Sequence, residues 1–175
     1  MAAFVTQFGE AFCGTGPEAA HVNTVLGAKG GPVEAAWVTA LATPRKGHVA
    51  FVVAAQPGLA VKPMTLFVNK ATIASDQHAT LTWGPAQAGV ASGVLDAVAD
   101  GTVPTGLVDE LVLVVALWLS VDAREADAVY GFNREATHAA LRAGSLGHPS
   151  VGDVLAVRDD PFNGYWLPPS MRSND

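Results

Sequence analysis

Two residue pairs have types and spacing suited to chemistry: His21 with Asn23, and Lys70 with Thr72. His21 and Asn23 follow the turn Gly14-Thr15-Gly16-Pro17 and open an apolar run through Val22, Val25 and Leu26. In a strand, residues two apart project to the same face, so an imidazole and an amide share one side. Histidine is the side chain whose unperturbed titration lies nearest neutrality, which suits a proton donor. The segment 65–73 alternates in the same way, with Leu66, Val68, Lys70 and Thr72 on one face. An amine and a hydroxyl interrupt that apolar row, where they can hold a carbonyl or an anionic group. Gln87 opens a helix, and a side-chain amide beside free backbone N–H groups can read the edges of a heterocycle. Each has a plainer reading too. His21 can be a half-buried histidine satisfied at a turn, Lys70 a solvated strand end, and Gln87 an ordinary surface residue.

Much other chemistry finds no support. The sequence has no Gly-rich loop ending in Gly-Lys-Ser/Thr and no G-x-G-x-x-G between a strand and a helix. His21, His48, His78, His138 and His148 form no pair at metal-ligand spacing, so no metal is expected. No serine sits in a nucleophile elbow, and Cys13, the single cysteine, reads as a small core residue. A net charge of −6 with ten scattered basic residues argues against nucleic acid as a partner. The longest apolar run, 111–119, is about half of what a bilayer span needs. The N-terminal residues lack the basic segment and long apolar core of a signal peptide, so a soluble cytoplasmic protein is expected.

The elements that must position these residues can be read in order. At 175 residues, half of them apolar and 15% charged, the chain fits one domain with a substantial core. We expect an extended segment around Phe4, Phe8 and Phe12, then a strand at 22–26. A helix opens at Pro32, with Val33, Trp37, Ala40 and Leu41 on its buried side. Strands are expected at 48–55 and 65–73, separated by the two-proline loop 56–63. Gly84-Pro85 starts a second helix, buried through Val90, Val94, Ala97 and Val98 and ended by Gly101; Gly89 and Gly93 would let it approach the sheet closely. The run 111–119, apolar on both faces, is a central strand covered on both sides. Asp122 and Glu125 form a capping box for a helix reaching Gly144, and Ser150 caps a short helix at 151–157. The order β-β-α-β-β-α-β-α predicts an α+β fold, a mixed sheet covered by helices. Residues 1–162 form one domain in this reading, and 163–175 an extended C-terminal arm.

Several motifs, in a consistent order over about 7–162, resemble the formaldehyde-activating enzyme family. They are Gly9-Glu10-Ala11, Gly14-x-Gly16 with Ala20-His21, Leu59-Ala60-Val61-Lys62-Pro63 and Asn69-Lys70-Ala71-Thr72-Ile73. Gly84-Pro85-Ala86-Gln87, Asn133-x-Glu135-Ala136-Thr137 and Asp160-Pro161-Phe162 complete the series. The resemblance implies a cytoplasmic hydro-lyase that condenses formaldehyde with tetrahydromethanopterin, the one-carbon carrier and co-substrate, without a metal. It further implies a fold similar to the second domain of ribosomal protein S5, and a homopentamer. By the same resemblance His21 is the proton donor, and Asn23, Val52, Lys70, Thr72 and Gln87 contact the pterin. The residue types suit the task, because expelling the formaldehyde oxygen calls for a general acid that titrates near neutrality, contributing roughly 10²–10⁴-fold.

Three positions depart from the family's pattern. Asn23 stands where Asp is usual, Ser120 replaces a His at the end of the central strand, and Asp160 replaces the His of a His-Pro-Phe. A carboxylate beside an imidazole favours the charged ring, and Asn cannot supply one. A second reading therefore stands beside the enzyme: a non-catalytic or weakly active relative that binds formaldehyde or a pterin as sensor or carrier.

Overall fold

The computed structural model describes residues 4–163 and 166–172. The expectations for 1–3, and those parts of the expected arm at 164–165 and 173–175, lie outside the described residues. The strands are β1 (Gln7–Cys13), β2 (Ala20–Ala28), β3 (Phe51–Val52), β4 (Ala54–Gln56), β5 (Leu59–Ala60), β6 (Met64–Asn69) and β7 (Leu111–Trp118). The helices are α1 (Pro32–Ala42), α2 (Asp76–Leu81), α3 (Gln87–Ala99), α4 (Ala126–Leu146) and α5 (Val151–Ala156).

Five strands form one sheet in the order β1-β2-β7-β6-β3, antiparallel except for the parallel pair β6/β7. Helices cover it, which makes the fold α+β with a mixed sheet. Alternation sets the two faces. Val22, Leu26, Leu113 and Leu117 turn to one side and pack with Val90 and Val94 of α3 and Val129 and Ala140 of α4. On the opposite face α1 places Val33 and Trp37 on Leu66 and Val112. The apolar run at the centre is thus β7, covered on both sides where α1 reaches.

The helices α3 and α4 lie side by side and run parallel. Ser92, Asp96 and Asp100, one helical turn apart, meet Tyr130, Arg134 and His138 in the same order. The approach is close because a Cβ on Gly93 would stand 2.5 Å from the Arg134 carbonyl oxygen. Gly89 and Gly93 therefore serve contact with α4, rather than with the sheet as expected. Thr137 and Asn133, from the late helix motif, are the buried residues facing those glycines. That motif is one of helix packing.

Several local expectations are corrected. The strand expected at 48–55 is only β3, after which the chain turns and β4 pairs with β5 through an irregular register. The loop expected at 56–63 therefore contains a strand. β6 ends at Asn69, so Lys70 and Thr72 lie just past the strand rather than inside it. The second helix begins earlier: Ser75 caps α2 by accepting the His78 N–H, and a wide π-type turn at 82–86 carries the chain into α3. That turn accommodates Pro85, which has no N–H to donate. The Asp122–Glu125 capping box does not form. Glu125 itself is the N-cap of α4, and the Glu18 carboxylate accepts the N–H groups of Arg124 and Glu125. Gly131 leaves α4 unbroken, and the helix ends at the left-handed Gly147 rather than at Gly144. Leu41 of α1 is exposed, not buried.

Candidate functional site

β2 turns Ala20, Val22, Thr24 and Leu26 into the core, so His21 and Asn23 emerge on the opposite face. Register then builds a row across the sheet. His21 lies between Phe12 of β1 and Trp118 of β7, and Asn23 between Glu10 and Ala116. In the parallel ladder Val68 lies beside Ala116, and Lys70 extends it by donating its N–H to the Leu117 carbonyl at 2.7 Å. α1 packs on Val25, Val114, Leu66 and Val68 of this face. The end carrying Phe12, His21, Asn23 and Lys70 is open to solvent.

Contacts there are specific. His21 Nε2 is 2.9 Å from Glu10 Oε1, and the Phe12 ring tilts against the imidazole at 6.3 Å between centroids. The Lys70 ammonium donates to Asn23 Oδ1. That bond leaves the Asn23 NH₂ for a ligand. Burial lowers the Lys70 amine below the usual lysine range, while the Glu10 carboxylate pulls it back in part. The β2 pair of His21 and Asn23 thus meets Lys70 directly through the Asn23–Lys70 bond, and Glu10 adds a carboxylate on His21. Glu10 had no site role in the sequence reading. Its signal was the period-two pattern Phe8-x-Glu10-x-Phe12, obscured by reading the phenylalanines at a spacing of four. As a solvent-accessible contact, His21–Glu10 adds little to stability. Its value is in orienting the imidazole and in placing negative charge beside it when a ligand excludes water.

The other expected residues lie apart from this row. Thr72 is held by His48, whose Nε2 is 2.9 Å from the hydroxyl. Val52 stands opposite Leu66 on the edge strand β3, on the same face as His21. Gln87 is not at a free helix terminus, because α2 and the wide turn precede it. Its amide donates instead to the Ala54 carbonyl at 3.1 Å, next to β3. Among the described residues no hydrogen bond joins Thr72 or Gln87 to the His21–Lys70 cluster. The structure thus gathers Glu10, His21, Asn23 and Lys70, and anchors Val52, Thr72 and Gln87 separately, each by its own contact.

The open face thus presents amide, ammonium and imidazole groups beside an apolar floor of Val68 and Ala116, with the Thr72 hydroxyl held separately by His48. Cys13 fits no nucleophilic role, since burial, then Glu135 and Glu10, raise its thiol above the usual range. His78 is buried and structural, accepting the Ala74 N–H at Nδ1 and donating Nε2–H to the Leu119 carbonyl. Ser120 and Asp160 have local partners: the Ser120 hydroxyl accepts the Asp122 N–H, and the Asp160 carboxylate accepts the Ser170 hydroxyl. Among the described residues no three His, Cys, Asp or Glu side chains converge as a metal site. Among those residues, too, no helix is long and apolar enough to cross a membrane.

Comparison with known proteins gives the family. The family model described as formaldehyde-activating enzyme matches residues 8–164. The chain belongs to the formaldehyde-activating enzyme family. It is 45% identical over 154 residues to the 5,6,7,8-tetrahydromethanopterin hydro-lyase of Methanosarcina barkeri, covering 88% of this chain and 86% of that protein. It is also 37% identical over 172 residues to a bifunctional enzyme Fae/Hps of Methanothrix thermoacetophila, and 34% identical over 174 residues to one of Archaeoglobus fulgidus. These alignments cover 94% and 95% of this chain but 44% of each bifunctional protein, so the chain spans less than half their length.

Proposed function

We propose that this chain is a hydro-lyase that condenses formaldehyde with tetrahydromethanopterin to give the methylene adduct and water, with His21 as general acid. One observation carries the reading: an imidazole held by a carboxylate stands on an open sheet face, one strand position from an amide–ammonium pair. When bound, the pterin supplies two amine nitrogens that take up the formaldehyde carbon. His21 delivers a proton to the departing oxygen, and Glu10 accepts the ring N–H and keeps the imidazole aimed. Lys70 and Asn23 hold a polar edge of the pterin, with Thr72 and Gln87 holding further edges and Val52 packing on its apolar side.

Asn23 favours the alternative of a weakly active or non-catalytic binder, since the usual carboxylate is missing there. Glu10 answers part of that objection, because it already brings a carboxylate to His21. We also propose that the chain works in the cytoplasm as a homo-oligomer, a pentamer by family resemblance. Residues 1–162 are the catalytic domain in this reading, and 163–175 an arm. The test is to mix purified protein, formaldehyde and tetrahydromethanopterin and follow the methylene adduct. Acceleration over the spontaneous reaction supports the enzyme; pterin binding without acceleration supports the binder instead.

A further inference from the structure

Thr72 is exposed and lines a cavity of about 370 Å³ together with Lys46, Gly47, Val49, Ile73 and Trp83. Its hydroxyl is not free to rotate at random. His48 Nε2 lies 2.9 Å from Thr72 Oγ1, and His48 Nδ1 lies 2.9 Å from the Asn69 carbonyl oxygen. A carbonyl can only accept, so Nδ1 carries a proton, and in the neutral ring Nε2 is then an acceptor. The Thr72 hydroxyl must therefore spend its proton on His48, and its oxygen lone pairs remain for a ligand.

The surroundings hold this arrangement in place. Asn69 donates its side-chain NH₂ to the Gly47 and Ala71 carbonyls at 2.8 and 2.7 Å. The Ile73 N–H donates to the Gly47 carbonyl at 3.2 Å, tying the turn before His48 to the loop that carries Thr72. Gly47 is left-handed, with φ of 76°, and a Cβ there would stand 2.5 Å from the Thr72 methyl. The turn thus needs glycine both for its conformation and for the Thr72 rotamer.

We propose that His48 is a positioning residue of the substrate site: it fixes Thr72 as a hydrogen-bond acceptor for an N–H of the pterin. The inference rests on the proposed function, since Thr72 must meet the pterin for His48 to matter. It assigns His48 no part in proton transfer, so its effect falls on substrate affinity rather than turnover.

The test is a double-mutant cycle on methylene-adduct formation, with tetrahydromethanopterin binding measured alongside. His48→Asn keeps a donor for the Asn69 carbonyl but falls short of Thr72, and should raise KM for the pterin about three- to tenfold, the usual range for one neutral hydrogen bond, with kcat within about twofold. His48→Gln reaches Thr72 again and should restore most of the loss. Thr72→Val should raise KM by a similar factor, and adding His48→Asn to it should cost nothing more. An unchanged KM in His48→Asn, no rescue by His48→Gln, or fully multiplicative losses in the double variant would overturn the inference while leaving the proposed function intact. If the wild-type chain binds the pterin without turnover, the enzyme reading falls and the same cycle is read in Kd. Neither acceleration nor binding by the wild type overturns both.

Discussion

At the scale of single residues, the site turns on where the carboxylate is. The family resemblance implies a carboxylate at position 23, whereas this chain has Asn23 bonded to Lys70 and a carboxylate at Glu10 touching His21. Glu10→Gln should therefore lower kcat/KM roughly 10- to 100-fold, the range for losing a hydrogen bond to a charged group. Asn23→Asp puts an anion against the Lys70 ammonium, and should raise activity or move its pH optimum; a pH–rate profile reads either outcome. His21 and Asn23 were legible in the sequence because strand alternation places both on one face of β2, whereas Lys70 joins them from just past the end of β6. Glu10 and His48 were not: the period-two pattern around Glu10 was masked by the spacing of four between phenylalanines, and the contact of His48 depends on a turn folding back.

At the scale of elements, the pairing of α3 with α4 sets the rigidity of the layer behind the sheet. Gly93→Ala would drive a methyl into the Arg134 carbonyl, and should destabilise the fold by about 1–3 kcal/mol, measured by denaturant unfolding. The polar ladder beside it has a pH signature. Hydrogen bonds from Thr102, then from His138, hold the Asp100 carboxyl at about 2, and Arg134 holds Asp96 below the usual range. Both are depressed relative to an unfolded Asp near 3.9, so their stabilisation is complete above about pH 4 and fades as the pH falls toward 2. Melting temperatures across that window should fall less in an Asp96→Asn/Asp100→Asn variant than in the wild type. The helices and central strand were legible from periodicity. The short β3 and the early start of α2 were not: a Val-rich run reads as one strand even where the chain leaves the sheet after two residues. Pro85 reads as a helix start because its accommodation within a wide turn is invisible locally.

For the whole molecule, the notable feature is how much apolar surface stays uncovered. Phe8 and Phe12 are 69% and 63% exposed, flanking Glu10 on the open side of β1. Large exposed apolar side chains suit an interaction surface, and the proposed assembly into a homo-oligomer would cover them. Light scattering on the purified chain should give a multimer, and Phe12→Asp should shift it toward the monomer. Monomeric wild type at micromolar concentration would contradict the proposed assembly. The geometry of such association could not be read from a single chain's sequence.

The central claim is that His21 is the acid of the reaction. The most direct measurement compares initial rates of methylene-tetrahydromethanopterin formation for wild type, His21→Ala and no protein, at matched formaldehyde and pterin concentrations. The account predicts a clear acceleration by the wild type and a loss of about 10²–10⁴-fold in His21→Ala. A folded His21→Ala protein that keeps the wild-type rate would contradict it.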